Sequence, residues 1–230
     1  MNEFFANSLF SGVVLSLISY FIGVMLKRRF KLGLFNPLLI SILLSILVLV
    51  VGNIDYEVYN ESAKYLSWLL TPATVCLAIP LYEQLELLKK NYVAVLLSLL
   101  AGALTSMLTV FVLAKLCGLS HAEYVTLLPK SITTAIGMGV SEELGGYVTI
   151  TVAVIIITGV LGNMFGELVC RIFRITEPVS KGLAFGASSH AIGTAKALEL
   201  GEVEGAMSSL AIAVSGILTV LLASAFANLM

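Results

Sequence analysis

The chain has 230 residues, 59% of them hydrophobic and only 12% charged, with a mean hydropathy of +1.03 and a net charge of −1. Soluble domains carry about 25% charged residues, so this chain lacks the polar surface to face water all round. Its balanced charge gives no electrostatic case for a nucleic-acid partner. Cys76, Cys117 and Cys170 stand in apolar stretches without ligand spacing; with no paired histidine motif either, neither a metal site nor a resident cofactor is expected.

A run long enough to cross a bilayer as a helix needs about 20 apolar residues. Six stretches reach or approach that length in chain order: Phe4–Leu26, Leu32–Ile54, Tyr65–Tyr82, Asn91–Ala114, Leu144–Gly166 and Gly205–Met230. The first has no basic residue before it and is followed by Lys27-Arg28-Arg29-Phe30-Lys31. It reads as a retained first helix with an external N-terminus, and not as a cleaved signal. Asp55, Glu57 and Glu61 make an acidic loop. The third run carries Pro72 and Pro80, which free backbone carbonyls and bring Thr74 forward as a candidate binding residue.

Two further segments are apolar but broken. Tyr124–Ser141 holds Pro129, Lys130 and two glycines, and Gly182–Leu198 holds three glycines, three hydroxyl residues, His190 and Lys196. A lysine at the bilayer centre costs roughly 2.5–3.5 kcal/mol on insertion scales. Such segments persist where neighbouring helices shield them or where they line a wet cavity. If both cross, Arg171, Arg174 and Lys181 fall outside, against the positive-inside tendency. If Tyr124–Ser141 dips in and returns, those three residues move to the cytoplasm.

Shifting the chain by 114 residues sets Leu70–Tyr82 beside Ala184–Lys196 and matches Gly102 to Gly216. With one re-entrant element between them, the matched segments would run in opposite directions, a recurring transporter plan. The expected architecture is an all-α polytopic helical membrane protein forming one integral domain over residues 1–230. It has about seven or eight membrane segments, broken or re-entrant helices, and an inverted repeat of 1–117 against 120–230.

Two clusters carry the candidate chemistry. Pro129, Lys130, Ser131, Thr133 and Thr134 gather a cation, hydroxyls and a helix break, suited to meeting a carboxylate within the membrane. The bland alternative is a lysine snorkelling to the interface or paired with Glu142 or Glu143. Ser188, Ser189, His190, Gly193 and Thr194 could bind carboxylate and hydroxyl groups, with His190 carrying a proton. Equally, the small residues could serve tight helix packing while Ser, Thr and His bond between helices. Adjacent Ser188, Ser189 and His190 do not face each other on a helix, so no hydrolytic enzyme is expected.

The stretches LLPKSITTAIGMGVSEELGG (Leu127–Gly146), GLAFGASSHAIGTAKALELGEVEGAMSSLAIAVSGI (Gly182–Ile217) and TPATVCLAIPLYEQL (Thr71–Leu85) together resemble the LrgB/CidB family of bacterial antiholin-like membrane proteins. That family is related to the C-terminal half of the plastid glycolate/glycerate translocator. One departure stands out: Ala135-Ile136-Gly137 stands where the family pattern leads one to expect Pro-Ile-Ala, exchanging a fixed kink for a permissive one. Helix-rich surfaces and small-residue faces lead one to expect a homodimer. The resemblance implies a bacterial cytoplasmic-membrane protein and a smaller LrgA/CidA-type partner. It also implies one of two roles: transport of small carboxylates such as pyruvate, glycolate or glycerate, coupled to H⁺ or Na⁺, or control of murein hydrolase activity and lysis.

Overall fold

Long apolar runs punctuated by glycine, proline and asparagine divide the described chain into helices only. The computed structural model describes residues 5, 7–30, 35–76 and 78–230. Contacts divide them into two units, Met1–Cys76 and Leu77–Met230.

The first unit holds α1 (Ser11–Phe30), α2 (Pro37–Gly52), α3 (Tyr56–Trp68) and α4 (Leu70–Cys76). Asn36 opens α2 by accepting the Leu38 amide at 2.8 Å, with Pro37 in the first turn where its missing N–H costs nothing. Asn53 closes it in the left-handed conformation. Helix α1 meets α3 at a glycine. The Gly12 amide donates to Ser62 Oγ at 2.9 Å, and a Cβ on Gly12 would stand 2.7 Å from that oxygen.

The second unit runs α5 (Ala78–Glu83), α6 (Leu85–Cys117), α7 (His121–Leu127), α8 (Thr134–Glu143), α9 (Val148–Ile172), α10 (Pro178–Leu200) and α11 (Glu202–Ala227). Four helices among the described residues are long and apolar enough to cross a membrane: α1, α6, α9 and α11, with α2 shorter at 16 residues. The expected run Tyr65–Tyr82 is instead cut into the end of α3, α4 and α5.

Two segments of this unit reverse direction. Helix α6 ends on Gly118, whose φ of 67° suits a residue without Cβ, and the Ser120/Glu123 capping box starts α7. After the break at 128–133, α8 returns. The Tyr147 amide then donates to Thr126 Oγ1 at 2.8 Å, and Thr151 Oγ1 bonds Thr126 O at 2.9 Å and Ser141 Oγ at 2.7 Å. The chain therefore leaves this hairpin at the end where it entered.

Helix α10 reverses at His190, whose φ of 42° and ψ of −139° interrupt the helix. Glycine adopts a positive φ freely; a histidine does so at a cost of order 1–3 kcal/mol. A Cβ on Gly193 would lie 2.6 Å from Phe185 O, and Ala197 clusters with Phe185 and Cys170. The arm 191–200 thus folds back along the arm 178–189. The first arm packs on α11 through Gly182 and Gly186, where an added Cβ would lie 2.8 Å from Met207 Cβ and 2.7 Å from Ala211 Cβ. Small residues at this spacing let helices approach closely in lipid.

This second reversal corrects the expected directions. Val95 and Leu99 of α6 cluster with Ala206, Met207 and Ala211 of α11, whereas Met107, Val110 and Ala114 cluster with Ala223, Phe226 and Ala227. The two helices run parallel, although the 114-residue match was expected to oppose them. The physical reason is that Gly182–Leu198 turns back instead of crossing. Lys89, Lys90, Arg171, Arg174, Lys181 and Lys196 consequently share one end of the unit with Glu167, Glu177, Glu199, Glu202 and Glu204, and Lys115, Glu123, Glu142 and Glu143 lie towards the other.

Candidate functional site

The hairpin α7–α8 places its break at the wall of a cleft of about 650 Å³ within the second unit. Lys130 and Ser131 form one side. Opposite stand Ala184, Ala187 and Ser188 on the first arm of α10, and Ser98, Gly102, Thr105, Ser106 and Thr109 on α6. Lys130 reaches this position because Pro129, fully buried, stops α7, and single turn bonds (Lys130 N to Leu127 O, Ile132 N to Pro129 O) shape the tip.

The Lys130 Nζ donates to Ser131 Oγ at 3.0 Å, and Ser131 Oγ lies 3.3 Å from Ser106 Oγ. No carboxylate among the described residues forms an ion pair with Lys130, and Glu142 and Glu143 are exposed on the returning helix. The cleft therefore presents a half-buried ammonium ringed by hydroxyls on an otherwise apolar lining. A small anion with an apolar end fits that chemistry: the ammonium supplies charge and the hydroxyls donate to its remaining lone pairs.

The other expected residues fall into supporting positions. Thr133 caps α8 and Thr134 begins it, both half-buried outside the cleft lining. Ser189 is buried against Gly162, its Oγ 3.0 Å from that of Ser188. His190 is 4% exposed, and its Nε2 lies 3.1 Å from Ile155 O. A carbonyl only accepts, so this nitrogen carries the hydrogen. Thr194 Oγ1 bonds His190 O at 3.0 Å and Ser208 Oγ at 2.7 Å, and Gly193 sits inside the fold of the hairpin. Lys130, Ser131 and Ser188 thus meet at the cleft, while Ser189, His190, Gly193 and Thr194 brace the wall behind it. The side chain of Thr74 lies outside the described residues.

The sequence reading overlooked the α6 wall. Its signal was legible: Ser98, Gly102, Thr105, Ser106 and Thr109 recur at helical spacing on one face of an apolar helix. Helix α9 adds polar links of its own. Asn163 donates to Ile192 O at 2.8 Å, and Glu167 takes Arg171 at 2.7 Å and Lys196 at 3.5 Å. With His190 on Ile155, these links tie the returning arm of α10 to α9 at three levels.

Long apolar helices joined by polar-tipped hairpins define an integral membrane protein with a polar cleft at Lys130. The chain belongs to the LrgB-like family, whose model matches residues 16–229. It is 42% identical over 216 residues to the antiholin-like protein LrgB of Bacillus cereus (strain B4264), covering 94% of each chain. The antiholin-like protein LrgB of Bacillus anthracis (strain CDC 684 / NRRL 3495) matches to the same extent. No solved structure matches the chain.

Proposed function

We propose that this protein carries small monocarboxylates of the pyruvate, glycolate or glycerate class across the bacterial cytoplasmic membrane. The observation that carries the reading is Lys130, held without an acidic partner among the described residues at a hairpin tip, in a cleft shared with the hydroxyls of Ser131, Ser106 and Ser188. Hairpins entering from opposite ends of the unit suit alternating access, because the first lines the cleft with its tip and the second with its first arm. Basic residues concentrated where α6 begins and α9 ends support a cytoplasmic placement of that end. Coupling to H⁺ or Na⁺, an LrgA/CidA-type partner and a homodimer are parts of the same proposal.

Uptake of labelled three-carbon acids into proteoliposomes, with and without a pH or Na⁺ gradient, tests it. Lys130→Ala is expected to abolish uptake and Lys130→Arg to retain part of it. Uptake unchanged in Lys130→Ala sinks the assignment.

The antiholin-like character of the relatives favours a second reading, an antiholin-like regulator of murein hydrolase activity acting through protein contacts, and bears on it more directly than on transport. That reading expects lysis control to survive replacement of Lys130, Ser131 and Ser188 together. Loss of both transport and lysis control in that variant would join the two roles.

A further inference from the structure

A second cavity, of about 320 Å³, opens at the basic end between the last turn of α9, the 173–177 connection and both ends of α10. Its lining has two chemistries. Cys170, Ile175 and Leu200 make an apolar floor, part of the cluster that includes Phe185 and Ala197. Arg171, Arg174, Lys181 and Thr176 make a cationic rim with one hydroxyl, against a single carboxylate, Glu167.

That carboxylate is already engaged by Arg171 and Lys196. Arg174 and Lys181 form no ion pair among the described residues. Arg174 is also held at a φ of 55°, in the turn that ends α9, where the Ile175 amide reaches back to Cys170 O at 2.8 Å. This is the position that helices most often give to glycine. A cation kept there against its backbone preference puts charge on the rim that no acid among the described residues pairs with.

We infer that this cavity binds a phosphoryl group at the cytoplasmic edge of the membrane. Guanidinium groups match phosphate oxygens in a fork, and a basic pocket between helices at this depth suits an anionic lipid headgroup with its first acyl carbons over the apolar floor. The same rim would take free phosphate. The inference is independent of the carboxylate reading, because the cavity shares no lining residue with the Lys130 cleft. It also reaches the hairpin: a phosphoryl group drawing on Arg171 competes with Glu167, which holds Lys196 of the returning arm.

The test uses the full chain in detergent micelles supplemented with phosphatidylglycerol or phosphatidylcholine, read by native mass spectrometry, with inorganic phosphate titrated in a separate arm. Phosphatidylglycerol is expected to be retained roughly tenfold or more over phosphatidylcholine, and R174Q/K181Q to remove that preference, each cation near the headgroups having a measurable share. Arg174→Gly separates binding from folding. It relieves the backbone, so it should leave the melting temperature unchanged or raised while lowering lipid retention. Phosphate binding without lipid preference, lost in R174Q/K181Q, keeps the phosphoryl site and assigns its ligand to solution. Neither lipid preference nor phosphate binding, or either one unchanged in both variants, overturns the inference.

Discussion

Gly159→Ala should destabilise the protein although alanine is the better helix former. Gly159 is buried in α9, and a Cβ there would stand 2.8 Å from His190 Cε1, 2.8 Å from Ile192 Cδ1 and 2.9 Å from His190 Nε2. The ring must tilt to admit the methyl, and tilting loosens its bond to Ile155 O. Overpacking costs about 1–3 kcal/mol, and the weakened hydrogen bond about 0.5–1.5 kcal/mol. The alanine returns roughly 0.8–1.0 kcal/mol of helix propensity, leaving a net loss of roughly 1–3 kcal/mol. Gly102→Ala is the matched control, since nothing lies within 4 Å of its added Cβ. It should gain up to about 1 kcal/mol from the same propensity. Equilibrium unfolding by SDS titration of both variants in detergent reads the difference. Equal stability of the two would refute the packing of His190 against α9.

Ser215→Ala should be neutral or stabilising, by up to about 1–2 kcal/mol, because its buried hydroxyl has no hydrogen-bond partner among the described residues; the same titration checks it. Thr151→Val should cost about 1–3 kcal/mol by removing the partner of the Ser141 hydroxyl and of the Thr126 carbonyl in the base of the first hairpin, with faster hydrogen exchange at residues 141–147. Ser120 Oγ and its backbone amide hold the Glu123 carboxyl below the ordinary carboxylate range. A depressed folded value means that the cap's stability is fully present above the unfolded value, near 4.3, and is lost as pH falls through the lower folded one. Exchange at residues 120–124 should accelerate on acidification through that window, and Ser120→Ala should shift the onset to higher pH. Cysteines placed singly at Leu119 and Gly145 in a cysteine-free background should be labelled from the same side of sealed vesicles. Cysteines at Thr176 and Gly201 should be labelled from the other; crossed labelling would contradict the hairpins.

The crossing helices α6, α9 and α11 were legible because lipid demands long uncharged runs, and nothing in tertiary packing can disguise them. The first hairpin was legible through Pro129, Lys130 and the loop charges. The second was misread as a crossing for a physical reason. Its reversal falls on His190, which has no intrinsic preference for that conformation, while the flanking Gly186 and Gly193 serve close packing instead. What holds His190 there lies about thirty residues earlier, on Ile155 and Gly159, and no local pattern encodes that contact. The candidate site divides along the same line. Lys130, Ser131 and Ser188 were visible as costly polar groups in apolar surroundings. The roles of Ser189 and Thr194 depended on which way each arm faces, which only Gly162 and Ser208 decide.

Ile155 touches both tips at once. Its carbonyl takes His190, and its side chain fills the space that a Cβ on Gly137 would need. Thr151 anchors the first hairpin one turn away, and Asn163 and Glu167 anchor the second further along. The two tips therefore hang from one rod. Displacing either tip therefore strains the other through α9, with Ile155 as the shared point of load.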